Sequence, residues 1–201
     1  MNEDNNYPIK IYNQIWANID NGISDRNHEY HSGIFSSIDN KNFPSLRSII
    51  LRNASKSKRT ITFHTDYRSQ KIEQISKNNN CFLLLYSAKL KEQLRIKVKS
   101  EINHNNELTR KIWDNISLMS KKCYLTKFPP STNVEIPTDG IDENLIGKEP
   151  NEKDSLIGFI NFSVIVNYIE SIEWLFLNSN GHRRIIFDFR EDIIKHQWLI
   201  P

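Results

Sequence analysis

Cysteine is scarce in this chain. Cys81 and Cys123 are the only two in 201 residues, and they show neither metal-site spacing nor a disulfide framework. A reduced, cytoplasmic compartment is the expectation, with Cys81, just ahead of an apolar run, in the core. Long apolar runs are missing too: none approaches the ~20 residues of a membrane span, so no membrane partner is expected. The first six residues, Met-Asn-Glu-Asp-Asn-Asn, lack the basic and then apolar regions of a signal peptide and read as a frayed polar tail. No Walker loop, nucleophile elbow, acid–base dyad or His/Cys metal cluster is found. His28 and His31 flank Glu29 in a polar stretch and read as solvent-exposed side chains. Neither sign of charge dominates, with 27 Lys and Arg against 24 Asp and Glu for a net +3. That balance suits an anionic ligand and lacks the concentrated basic stripe of a nucleic-acid binder.

What is present suits one domain spanning residues 1–201 with a full hydrophobic core. Tyr12, Ile15, Trp16 and Ile19 recur at helical spacing, giving a first helix over 7–20 with Trp16 as a core anchor and Gly22 as its stop. Residues 33–38 read as a strand, 39–42 as a turn and 53–58 as a solvated hairpin tip. Three β-rich runs (48–51, 60–65 and 82–86) precede a fourth of strict alternation. In the fourth, Leu94, Ile96, Val98 and Ile102 oppose Gln93, Arg95, Lys97, Lys99 and Glu101, the mark of a strand with one dry face. A helix over 108–120 would put Ile112, Ile116 and Met119 on one side with Trp113 beside them. Residues 126–154, rich in Pro, Asp, Glu and Asn, form a long loop that could be a lid, a subunit contact or plain disorder. Strands are expected at 158–166, 171–177 and 184–189.

The chemistry concentrates between residues 65 and 71. Thr65-Asp66-Tyr67-Arg68-Ser69-Gln70-Lys71 leads from a strand into a short helix, ended by Asn78-Asn79-Asn80. Hydroxyls, unpaired helix-end amides and cations at such a turn meet the requirements of an anion site. Arg47 can grip a phosphate through two N–H groups, and Lys71 can face it as a point charge.

Together, Arg47-x-x-x-Leu51-Arg52, Phe63-His64-Thr65-Asp66, Ser69-Gln70-Lys71 and Gln93-Leu94-Arg95 resemble the flavin-binding core of the pyridoxamine 5'-phosphate oxidase family. The resemblance is specific across 47–95 and extends from about Trp16 to the C-terminus. It implies a mainly β fold, the FMN-binding split barrel, of roughly six to eight strands with flanking helices. It also implies FMN as cofactor and a homodimer with FMN between subunits. Arg47, Ser48, Ile49, Ile50 and Arg52 would line the flavin, with His64 and Thr65 at the family's aromatic-Thr pair. Ser69, Gln70 and Lys71 match its Ser-Arg-Lys phosphate segment, and Gln93 its flavin-contacting glutamine. Gln70 stands where these oxidases commonly carry arginine, and Arg68 is the candidate for the missing charge. Arg95, beside Gln93, is assigned to the flavin site, Lys97 and Lys99 to the surface. Val98 stands where relatives often have glycine.

The closing segment, with His182, Arg183 and Arg184 before Trp198-Leu199-Ile200-Pro201, resembles the family's C-terminal pattern, whose Arg-x-His pair contacts substrate. That pair is not reproduced: His182 precedes Arg183, and Ile185 follows two residues later. His182, Arg183 and Arg184 are the candidate substrate contacts. The leading activity implied is oxidation of pyridoxamine or pyridoxine 5'-phosphate by oxygen. Two alternatives stay open: an FMN-dependent oxidoreductase for another small molecule, and a flavin-binding protein without turnover.

Overall fold

The computed structural model describes residues 6–191 and 193–201, so the tail expected over 1–6 lies, except for Asn6, outside the described residues. Helix α1 (Tyr7–Ser24) leads into strand β1 (Ser32–Ile38). Strands β2 (Pro44–Ile50), β3 (Asn53–Ser55) and β4 (Thr60–Asp66) follow, then helix α2 (Gln70–Lys77). A long hairpin, β5 (Asn80–Ser87) and β6 (Glu92–His104), precedes helices α3 (Glu107–Asn115) and α4 (Leu118–Lys122). After a short helix α5 (Glu152–Ser155) come β7 (Phe162–Phe176), β8 (Arg183–Asp188) and β9 (Lys195–Leu199).

All pairings are antiparallel, in the order β2-β1-β5-β6-β7-β4-β3. Strand β3 follows β2 after two residues, so one ribbon pairs with β1 on one side and β4 on the other. The Arg52 N–H donates to the Thr62 carbonyl at 2.9 Å and helps close the ring into a barrel. Strand β7 pairs with β6 along its length, but its other edge is divided. Its first half holds β4 and its second half holds β8, which carries β9 outward. The fold is thus mainly antiparallel sheet with flanking helices, as expected, with nine strands among the described residues.

Alternation puts Phe35, Phe63, Leu83, Leu94, Ile96, Val98, Ile172 and Phe187 inside, where α1 adds Ile15, Trp16 and Ile19; all are essentially buried. Cys81 is buried among them. Val98 sits at a register shift against β7, and this bulge lets a branched side chain remain fully inside. A second cluster of Trp113, Tyr124, Phe159, Phe162, Val164 and Val166 lies under α3 and the segment after α4.

Five sequence expectations change. Gly22 does not stop α1, because the helix passes over the Tyr30 backbone so closely that a Cβ would meet its carbonyl at 2.7 Å. The helix over 108–120 is two, broken where the Ser117 hydroxyl accepts from the Ser120 N–H; Trp113 is the buried residue and Met119 is exposed. The strands at 158–166 and 171–177 are one strand, β7. Its polar Asn167 stays inside because its amide accepts from Ser100 Oγ (2.7 Å) and donates to the Ile61 carbonyl (2.9 Å). Strand β9 was not expected at all: four of its five residues are exposed, leaving no alternation to read. The hairpin tip at 53–58 also contributes β3. No helix among the described residues is long and apolar enough to cross a membrane.

Candidate functional site

Strand β4 ends in Thr65-Asp66, and the chain turns through Tyr67-Arg68-Ser69 into α2. Ser69 is the N-cap by position, yet its hydroxyl does not cap. It accepts instead from Lys71 Nζ at 3.0 Å, as Thr65 Oγ1 does at 2.8 Å. Across the barrel end, the pairing of Ser37 with Ser45 and of Phe35 with Arg47 directs Arg47 to the same place. Its Nη1 donates to Ser37 Oγ (2.6 Å); its Nη2 donates to Ser45 Oγ (2.6 Å) and Gln74 Oε1 (2.8 Å). Its guanidinium carbon lies 5.7 Å from the Phe35 ring centre.

The electrostatics of this cradle are one-sided. Burial pulls both cations toward their neutral forms, and the Arg47 charge adds to that for Lys71, bringing its amine down to about 8. Asp66 draws the other way on Lys71, more weakly. The described bonding partners of both cations are hydroxyls and an amide, none a carboxylate. A desolvated pair of like charges held only by neutral acceptors lacks a negative group, and a phosphate dianion meets that need.

The other candidate residues are distributed around the cradle. Ile49 is buried in the core, while Ser48 and Ile50, one residue to either side, face the outer surface of the sheet. On that surface, register sets Ser48, Ile34, Leu84 and Arg95 in one row and places Gln93 opposite Tyr86. Arg52 is exposed. Its charge and, more strongly, burial bring the His64 imidazole down to about 4. The His64 ring packs edge-on to Phe162 at 5.1 Å.

Gln70 is exposed at the start of α2. Arg68 is not brought into the cradle. Its guanidinium grips Asp66 (2.7 and 3.0 Å) and donates to the Thr126 hydroxyl (2.8 Å) and carbonyl (3.1 Å), pinning the start of the long 126–154 segment. That segment is tied further by the Lys127 N–H to the Gly140 carbonyl (2.8 Å), and by Lys122 Nζ to the Leu145 and Lys148 carbonyls.

The C-terminal candidates lie apart. Arg183 donates to the Tyr7 hydroxyl and its charge sits over the Tyr7 ring, itself stacked on Trp198 at 5.8 Å. His182 Nδ1 accepts from the Asn178 N–H. Arg184 bonds Glu173 (2.8 Å), which also takes Arg95 (3.2 Å). A groove of about 560 Å³ opens among Tyr7, His182, Arg183, Arg184 and Trp198. Ser37, Ser45 and Gln74 of the cradle were not among the sequence candidates. Gln74, three residues after Lys71 on one helix face, was the one with a readable signal.

Antiparallel split barrels of this kind occur among FMN-binding proteins. A pyridoxamine 5'-phosphate oxidase-related, FMN-binding protein from Nostoc punctiforme PCC 73102 superposes with a TM-score of 0.75 at 15% identity, covering 94% of this chain and 96% of the other. PhzG from Burkholderia lata 383 gives 0.70 at 16% identity over 99% and 95% of the two chains. At these identities the likeness is one of fold. The sequence itself goes further: residues 13–103 match the family model described as pyridoxamine 5'-phosphate oxidase, FMN-binding domain. No curated protein matches the chain.

Proposed function

We propose that the protein is an FMN-dependent oxidoreductase, with oxidation of pyridoxamine or pyridoxine 5'-phosphate to pyridoxal 5'-phosphate as its leading activity. The observation that carries the cofactor reading is the pair Arg47 and Lys71, desolvated and lacking a bonded carboxylate, within a stretch matched to an FMN-binding domain. Arg47, Thr65, Ser69 and Lys71 would hold the phosphate, with the first turn of α2, including Gln70, beside it. Ser48, Ile49, Ile50, Arg52 and His64 would follow the ribityl chain and ring through backbone and side chain, with Gln93 and Arg95 beyond. At neutral pH the His64 imidazole is uncharged and offers one donor and one acceptor. Arg68 would act on the site only through Asp66 and Thr126. When bound, FMN would supply the hydride acceptor and the route of electrons to oxygen; the chain's share is binding, orientation and exclusion of water.

The protein would act as a homodimer in the cytoplasm. The outer sheet face, where exposed Leu46, Phe82 and Tyr86 stand beside the Ser48–Arg95 row, supports a second copy covering it. Flavin occupancy should therefore fall on dilution below the dimer dissociation constant, and a monomer by light scattering that keeps full flavin contradicts this. His182, Arg183 and Arg184 are proposed to meet the substrate. The groove they line has an aromatic wall in Tyr7 and Trp198, which also favours a second reading: FMN with a different planar anion as substrate. PhzG, of the same fold, was crystallised with tetrahydrophenazine-1-carboxylic acid. One experiment tests the function. The purified protein should show flavin absorbance, release FMN on denaturation and produce peroxide with pyridoxamine 5'-phosphate. Flavin without peroxide leaves the second reading or a protein without turnover, and absence of flavin sinks all three.

A further inference from the structure

Gln74 has no counterpart in the charge logic of the cradle until its bonds are followed. Its side chain is buried, at 6% exposure, one helical turn from Lys71. Its Oε1 accepts from Ser37 Oγ at 2.6 Å and from Arg47 Nη2 at 2.8 Å, so the amide is oriented by two donors at once. Ser37, itself buried, accepts from the other Arg47 nitrogen at 2.6 Å. Ser37, Gln74 and Arg47 thus form a closed triangle that fixes the plane of the guanidinium. A glutamate has the same shape and could accept the same two bonds while giving the half-buried Arg47 a full counter-charge, so orienting Arg47 does not by itself require an amide here. A carboxylate would, however, cancel one of the two charges that face the anion.

We propose that Gln74 is the positioning residue of the phosphate site: it orients Arg47 with a neutral acceptor and so leaves the full charge of Arg47 and Lys71 to the ligand. The proposal rests on the FMN reading above and adds to it the reason the cradle discriminates FMN from riboflavin. The repulsion that Lys71 feels from Arg47 agrees, because an acid at position 74 would screen it.

The test is Gln74→Glu beside Gln74→Met, each titrated with FMN and with riboflavin by fluorescence and melted with and without inorganic phosphate. The expected result for Gln74→Glu is a melting temperature at or above wild type, FMN affinity lower by about tenfold or more, the scale of a lost bond to a charged group, and unchanged riboflavin affinity. Gln74→Met should lower the melting temperature and reduce FMN affinity less. Inorganic phosphate should raise the melting temperature of wild type but not of Gln74→Glu. A Gln74→Glu protein that fails to fold, keeps wild-type FMN affinity or loses FMN and riboflavin equally overturns the proposal. If wild type is stabilised by phosphate but binds no FMN, while Gln74→Glu is unaffected by phosphate, the positioning role stands and the FMN reading falls. Phosphate that stabilises neither protein, or both alike, overturns the positioning role.

Discussion

Two groups of cations in this chain sit in contrasting neighbourhoods. On the outer sheet face Arg95 and Arg184 share Glu173, and Lys97 and Lys99 share Glu170 at 3.3 and 3.7 Å. Arg68, by the turn, is spent on Asp66. In the cradle, Arg47 and Lys71 bond to Ser37, Ser45, Thr65, Ser69 and Gln74, all neutral. The difference teaches how to separate a binding charge from a structural one. A paired cation already has its counter-charge, whereas a desolvated cation on neutral acceptors is completed only by an anion from outside. Sequence could not make this distinction, since Arg68 and Lys71 stand three residues apart and look alike.

The comparison breaks most visibly at Lys71. Lys71→Ala should weaken FMN binding by ~1.5–3 kcal/mol, the size of a lost bond to a charged group, and leave riboflavin alone. Fluorescence titration reads both, and equal losses would erase the contrast. Titration of Lys71 comes next. Its amine ionises near 8 in the empty protein, so FMN affinity should be flat just below that value. Above it, binding the dianion requires proton uptake, and affinity should fall by up to about tenfold per pH unit, while riboflavin affinity stays level. For the empty fold the sign is opposite. The unfolded chain holds the Lys71 proton more tightly, so this group adds stability as pH rises from about 8 toward the ordinary lysine range.

Arg183→Ala should raise the KM for a phosphorylated substrate several-fold with kcat and FMN affinity unchanged, the pattern of lost uniform binding. Wild-type kinetics in that variant would make Arg183 an edge cation and nothing more. The smallest effect belongs to Arg95, half-exposed and paired. Arg95→Ala should shift FMN affinity by no more than ~1 kcal/mol, typical of exposed ion pairs. A loss as large as that of Lys71→Ala would show that pairing with Glu173 does not spend the charge.

Much of this site could be read from the chain because its centre is local. Thr65, Ser69 and Lys71 lie within seven residues across a strand end and a helix start, where the chemistry of free amides and hydroxyls is written in order. Arg47, far off in the chain, was tied to that centre by resemblance. Ser37 and Ser45 could not have entered, since nothing marks two serines until the β1–β2 register sets them opposite each other. The barrel was legible where alternation is strict, as in β6, and illegible where burial is settled elsewhere. Asn167 reads as a strand break but is a fully buried hub, and β9 reads as coil because both of its faces are largely exposed.

The divided edge of β7 has a consequence for how the chain reaches this shape. The bond from Ser163 Oγ to the Thr65 carbonyl spans 98 residues, and that from Asn167 to Ile61 spans 106. Until β7 arrives, β4 and β6 have no strand between them, and Ile61, Phe63, Leu94 and Ile96 wait without one wall of their core. Closing so wide a loop is entropically costly before its contacts reward it, so the last strand to join should set a slow rate. During synthesis the cradle residues emerge early, yet the strand that holds Thr65 in line comes about a hundred residues later. A nascent chain halted before Phe162 would carry every residue of the cradle and still lack the frame that assembles it.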